Sequence, residues 1–77
     1  MSYFVLLYDQ LARSVMRLEE FPNEAAEAAL ARRLELQQDN IEHPEIEVVL
    51  LGAQSEDDLR RTHGRYFKSM EELTSVG

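Results

Sequence analysis

The chain has 77 residues, 44% of them hydrophobic and 30% charged, which predicts one small globular domain spanning residues 1–77. Its formal net charge is −7, from 15 acidic and 8 basic residues, so nucleic-acid binding would need its few basic residues to gather in one patch. The absence of cysteine excludes disulfides, thiol chemistry and cysteine-based zinc sites.

The first two predicted elements form a β-hairpin. Residues 3–9, YFVLLYD, show no polar break before Asp9, so both faces of this strand are apolar. Asp9 gives a weak turn signal. Residues 13–21, RSVMRLEEF, alternate between polar and apolar side chains, as expected for an edge strand with one solvent-exposed face. Alternation puts the side chains of this second strand on two faces: Met16 and Leu18 on one, and Val15, Arg17 and Glu19 on the other.

The segment after Pro22 has the composition of a helix. Asn23 is a favourable N-cap, and the residues up to Asn40 are rich in strong helix formers. Apolar side chains form two stripes about 100° apart on this helix. We expect the first to face inward: Ala26, Leu30 and Leu34 in the first stripe, and Ala25, Ala29 and Leu36 in the second.

Residues 45–52, EIEVVLLG, predict the third strand, with Ile46, Val48 and Leu50 on one face and Val49 and Leu51 on the other. Ser55 then has the position of an N-cap for a second helix, and Gly64 weakens or ends that helix. Further apolar residues follow at helical spacing as far as Met70 and Leu73, and we expect a frayed tail at residues 73–77.

The predicted order β-β-α-β-α indicates an α+β fold with a three-stranded, antiparallel to mixed sheet and two helices packed on it. A right-handed crossover makes strands two and three parallel, and the most apolar strand, the first, belongs between them. The expected sheet order is therefore 2-1-3, a split β-α-β arrangement. By analogy of fold alone, this is part of a ferredoxin-like architecture.

If both helices pack on one face of the sheet, the other face is an apolar interaction surface too large for a monomer to leave exposed to solvent. Three coverings are open: one helix on each face, the C-terminal segment under the sheet, or a second copy in a homodimer. The homodimer is the expectation, and an alternative dimer would pair edge strands into one sheet. The predicted surface comprises Tyr3, Val5, Leu7, Val15, Val49 and Leu51.

Residues 60–68, RRTHGRYFK, are the single basic cluster, and Arg61, Arg65 and Lys68 are candidate anion contacts on one helical stripe. The favoured interpretation is a salt-bridged solvent face, with Asp57 four residues before Arg61. His63 and Tyr66 are candidates for a small-ligand pocket, although a structural role in the core is favoured for both.

No group of residues has the spacing of a catalytic, metal or cofactor site. The residues GAQSEDDL, 52–59, join a strand to a helix start, where carboxylates would repel phosphate. The N-terminus lacks a basic signal-peptide region, and its apolar run is far shorter than the ~20 residues that span a bilayer. We therefore expect a cytoplasmic protein without a membrane partner.

Three functions remain open. The favoured one is a small acidic, non-enzymatic interaction module, a homodimer that docks on a larger and basic protein. The second is a ligand-binding or enzymatic dimer with a pocket near His63 and Tyr66. The third is nucleic-acid or ribosome association through residues 60–68, which the net charge disfavours.

Overall fold

The structure, a computed structural model, describes residues 1–67. Strand β1 lies between the other two strands and is antiparallel to both, in the order β2-β1-β3. This confirms the predicted α+β class and the 2-1-3 order, while the predicted tail at 73–77 and the stretch through Met70 lie outside the described residues. The elements are β1 (Ser2–Asp9), β2 (Ser14–Pro22), a 3-10 turn (Asn23–Ala25), α1 (Ala26–Asp39), β3 (Ile46–Ala53), α2 (Glu56–Thr62) and a second 3-10 turn (Gly64–Tyr66).

One helical segment covers each face of the sheet. On the face that we call the α1 face, Val5 and Leu7 of β1 pack with Ala29 and Leu36 of α1. On the opposite face, the α2 face, alternate residues of β1 pack with Leu59 of α2 and with the 3-10 turn behind it. The supposition that both helices share one face is therefore wrong, because an unbroken apolar strand needs cover on both sides.

The register of the sheet also corrects the predicted interaction surface. Residues directly opposite in an antiparallel pair point to the same face. Leu7 lies opposite Val48, whereas Val49 lies opposite Leu6. The six residues expected on one surface are thus divided: Tyr3, Val5 and Leu7 lie on the α1 face, and Val15, Val49 and Leu51 lie on the α2 face.

A β-bulge moves Val15 to the α2 face. Arg17 pairs with Leu7 and Val15 pairs with Tyr8, so Met16 is the extra residue of β2. Simple alternation had placed Met16 with Leu18 and Val15 on the opposite face. The extra residue reverses the phase of the strand, and Met16 is left 56% exposed.

The rotation of α1 about its axis differs from the predicted one, because the second apolar stripe and not the first faces the sheet. Ala29 and Leu36 are buried, whereas Leu30 is 46% and Leu34 is 56% exposed. Ala29 is small enough for the helix to approach Val5 closely. On the side toward β2, Arg32 holds this rotation by a bidentate contact, with Nε 2.9 Å and Nη2 3.0 Å from the two carboxylate oxygens of Glu19.

The helix caps were predicted with mixed success. Ser55 caps α2 as expected, and its hydroxyl accepts a hydrogen bond from the Asp58 amide at 3.1 Å. Asn23 does not cap α1, because it begins a 3-10 turn and α1 starts three residues later behind Ala25. The α2 helix ends at Thr62, just before Gly64, as the position of that glycine indicated.

We expect Leu6→Ala and Leu7→Ala each to lower the free energy of unfolding by about 2–5 kcal/mol, because these neighbouring leucines are buried on opposite faces. Chemical denaturation monitored by circular dichroism measures both. Leu11→Ala, at an 83% exposed position in the hairpin loop, is the control and should change stability by about 0.5 kcal/mol or less. A near-neutral Leu7→Ala would contradict two-sided burial of β1.

Candidate functional site: a neutral groove beside a free sheet edge

A hydrogen-bonded cluster on the α2 face joins the last described turn to β3. The Tyr66 hydroxyl donates to Oε2 of Glu47 at 2.9 Å, and Nη2 of Arg65 lies 2.8 Å from the Tyr66 oxygen. The same Arg65 nitrogen lies 3.1 Å from Oε2 of Glu47. The ring of Tyr66 meets that of Tyr8 edge-on, with centroids 5.2 Å apart. The cluster therefore fastens the turn to the sheet.

The described arginines of the predicted anion cluster already face carboxylates. Arg61 contacts Asp58 at 3.1 Å, in place of the expected Asp57, and Arg65 contacts Glu47. Both arginine side chains are mainly exposed, so their ion pairs stabilise the fold only weakly. Lys68 lies outside the described residues. Anion contact through residues 60–68 stays a prediction that no geometry here favours.

The two candidates for a ligand pocket have structural surroundings. Tyr66 is buried against Tyr8, and burial is the main cause that raises the pKa of its phenol above the ordinary value. His63 is half-buried and follows the last residue of α2 as its C-cap. A pocket at His63 and Tyr66 remains a prediction, and a groove among the described residues lies elsewhere.

A groove of about 460 Å³ lies between the C-terminal half of α1 and the first half of β3. We call it the α1–β3 groove. Its lining includes Leu34, which is 56% exposed, Ile41, which is 69% exposed, and the buried Val48 of β3. None of the lining residues carries a charge, although 30% of the chain does: Leu34, Gln37, Gln38, Asn40, Ile41, Ile46 and Val48.

The groove borders the outer edge of β3, which is open among residues 1–67. Among residues 1–67 no further strand pairs with this edge, although at its start the Ile46 amide donates to the carbonyl of His43 at 3.0 Å. The opposite edge strand, β2, carries the protective features that natural sheets use: a bulge, exposed charges at Arg17 and Glu20, and the terminal Pro22. Strand β3 has none of these apart from Glu47, so the two sheet edges differ strongly in their capacity to pair.

Sequence reasoning missed the groove because it assigned Leu34 to the core. One signal could have revealed it. Residues 36–38, LQQ, are uncharged and are followed closely by Ile41, in a chain whose helix is otherwise rich in charge. A second apolar stripe on the same helix was the other sign, since one helix face against a three-stranded sheet buries only one of them.

Among the described residues, no three side chains of His, Cys, Asp or Glu come together in a way that would hold a metal ion. Within residues 1–67, no helix has the length and hydropathy to cross a membrane. No protein-family model, curated protein or solved structure matches the chain.

We expect Tyr66→Phe to destabilise the fold by about 1 kcal/mol at neutral pH, through loss of the hydrogen bond to Glu47. Since the fold raises the Tyr66 pKa, its contribution is complete below pH ~10 and is lost as pH rises through the raised pKa.

Denaturation midpoints between neutral and strongly alkaline pH measure both effects. Tyr3→Phe, on the opposite face of the sheet, controls at neutral pH for the general loss of a tyrosine hydroxyl. If wild type and Tyr66→Phe lost stability equally above pH ~10, the assignment to Tyr66 would be wrong.

Proposed function

We propose that this protein is a non-enzymatic interaction module that acts as a homodimer, joined through the β3 edge and the α1–β3 groove. The observation that carries this proposal is that, among residues 1–67, the apolar edge strand β3 has no bulge, proline or further strand along it and borders an uncharged groove. Open strand edges of this kind pair readily with another strand. Adding a strand from a second copy would make one continuous six-stranded sheet.

The distribution of charge favours a second copy as the occupant. Each chain carries a net charge of −7, so two copies repel each other wherever acidic surfaces meet. The α1–β3 groove is an uncharged strip on this acidic surface, and two copies can approach there without placing carboxylates in contact. A basic protein, in contrast, would be attracted to the acidic surface outside the groove.

This interface differs from the one expected from the sequence. The sheet face with Tyr3, Val5 and Leu7 was the expected contact, but α1 packs on it. Self-association is now supported by exposed side chains beyond that face, at Leu30 and Leu34 of α1 and at Ile41. Placing apolar surface of this kind against a copy stabilises a dimer by about 25 cal/mol per Å² removed from water.

The acidic surface outside the groove has a separate role in the proposal. With the edges joined, the dimer would present twice the charge of one chain, −7 each, on its remaining surface. Such a surface attracts a basic partner electrostatically at low salt. We therefore keep a larger, basic protein as the proposed second partner of the dimer.

Sedimentation of the full chain at micromolar concentration tests the homodimer. We expect a mass of twice 8.9 kDa for the wild type and a monomer for Leu34→Lys. The new lysine lowers the net negative charge of each chain, so a larger net charge cannot explain the dissociation.

Met16→Lys is the matched control, because Met16 is also 56% exposed but lies at the bulge of β2, on the other edge of the sheet. It should remain a dimer. A monomeric wild type would overturn the proposal, as would two lysine variants that dissociate equally. A monomer is also the result expected if residues 68–77 of the same chain occupy the edge.

A further inference from the structure

The direction of each backbone group in β3 follows from one hydrogen bond. The amide of Gln10 donates to the carbonyl of Glu45 at 2.9 Å, which extends the β1–β3 ladder by one pair. In an antiparallel ladder, hydrogen-bonded pairs alternate with non-bonded ones. The odd-numbered residues of β3 therefore bond to β1. The even-numbered residues direct their backbone groups to the outer edge: Ile46, Val48, Leu50 and Gly52. The amide of Ile46 already donates to the carbonyl of His43 at 3.0 Å, so at this residue only the carbonyl can pair further.

A symmetric pairing of two β3 edges is limited by this alternation. Outward residues must meet outward residues, so the two-fold axis passes through a residue position and not between two residues. Axes at Val49 and at Leu50 keep residues 46–52 or 47–53 paired, which is nearly the whole strand in either case. An axis at Val48 leaves the last three residues of the strand unpaired, and we set it aside.

The groove decides between the two remaining registers. Leu34 and Val48 line the same groove, so the exposed part of α1 lies beside the first half of β3. An axis at Val49 adjoins Val48 and brings the grooves of both copies together, whereas an axis at Leu50 moves them apart. Glu47 then lies opposite Leu51 of the partner subunit, so no like charges face each other across the strands.

We propose, building on the homodimer above, that the two β3 strands pair antiparallel with Val49 on the two-fold axis. In each copy, Val48 then forms a hydrogen-bonded pair with Leu50 of the partner subunit. Val49 meets Val49 of the partner subunit as a non-hydrogen-bonded pair, with Cα atoms about 4.5 Å apart. Leu34 of each copy lies next to the axis on the α1 side, so the two grooves combine into one buried, uncharged contact.

A cysteine scan of the full chain reads the register directly, because the sequence contains no cysteine. Val49→Cys should form a disulfide-linked dimer under mild oxidation, since disulfides need Cα separations below about 7 Å. Leu51→Cys is the matched control on the same strand and face. Its Cα would lie about 14 Å from that of its copy, which is on the neighbouring strand and four residues further along, so it should remain reduced.

Val48→Cys and Leu50→Cys report the alternative registers. A disulfide at either position, with none at Val49→Cys, would overturn the proposed axis while leaving the homodimer intact. If instead the wild type sediments as a monomer and none of the variants forms a disulfide, the homodimer itself fails. These two failures are therefore distinguishable.

A second measurement does not depend on the cysteine variants. In dimers mixed from isotope-labelled and unlabelled wild-type chains, a filtered nuclear Overhauser spectrum should show an Hα–Hα contact of Val49 between copies. Such contacts are characteristic of non-hydrogen-bonded antiparallel pairs, whose Cα atoms are close. A dimer with intermolecular contacts between other strand residues, and none at Val49, would overturn the register.

Discussion

Strand β1 has neighbours on all four sides, with β2 and β3 at its edges, α1 on one face and α2 on the other. Phe4, Val5 and Leu6 are completely buried there. A chain of this size has little apolar surface to spare. Since α1 and α2 both lie against β1, neither helix covers the outer edge of β3 among residues 1–67, and Leu30 and Leu34 of α1 stay exposed. The exposed groove is thus a consequence of the central strand.

Polar contacts fix how the two helical segments sit on the sheet. Arg32 and Glu19 join α1 to β2, and the pKa of Glu19 is lowered chiefly by its hydrogen bonds to Arg32. Glu47 and Tyr66 join the turn after α2 to β3 on the opposite face. Each contact connects a helical segment to a different edge strand. The rotation of α1 that exposes Leu34 is therefore held from the β2 side, at a distance from the groove.

The two edges of the sheet differ in how readily another strand can pair with them. The β2 edge is bulged at Met16 and carries charged residues, which disfavours strand addition. The β3 edge is regular and apolar and adjoins an uncharged groove. In an acidic chain, association is favoured where charge is absent. In the proposed homodimer the two β3 edges would close against each other, and the bulged, charged β2 edge would oppose growth into a longer assembly.

The sequence by itself determined the element types, the 2-1-3 order and the Ser55 cap, because these depend on local periodicity, turn chemistry and the strong apolarity of β1. Only the tertiary structure decided which face each strand residue joins and which stripe of α1 is buried. The bulge at Met16 reverses the phase of β2, and the Arg32–Glu19 contact selects the rotation of α1. Both depend on partners in another element, and periodicity alone carries no information about phase relative to such a partner.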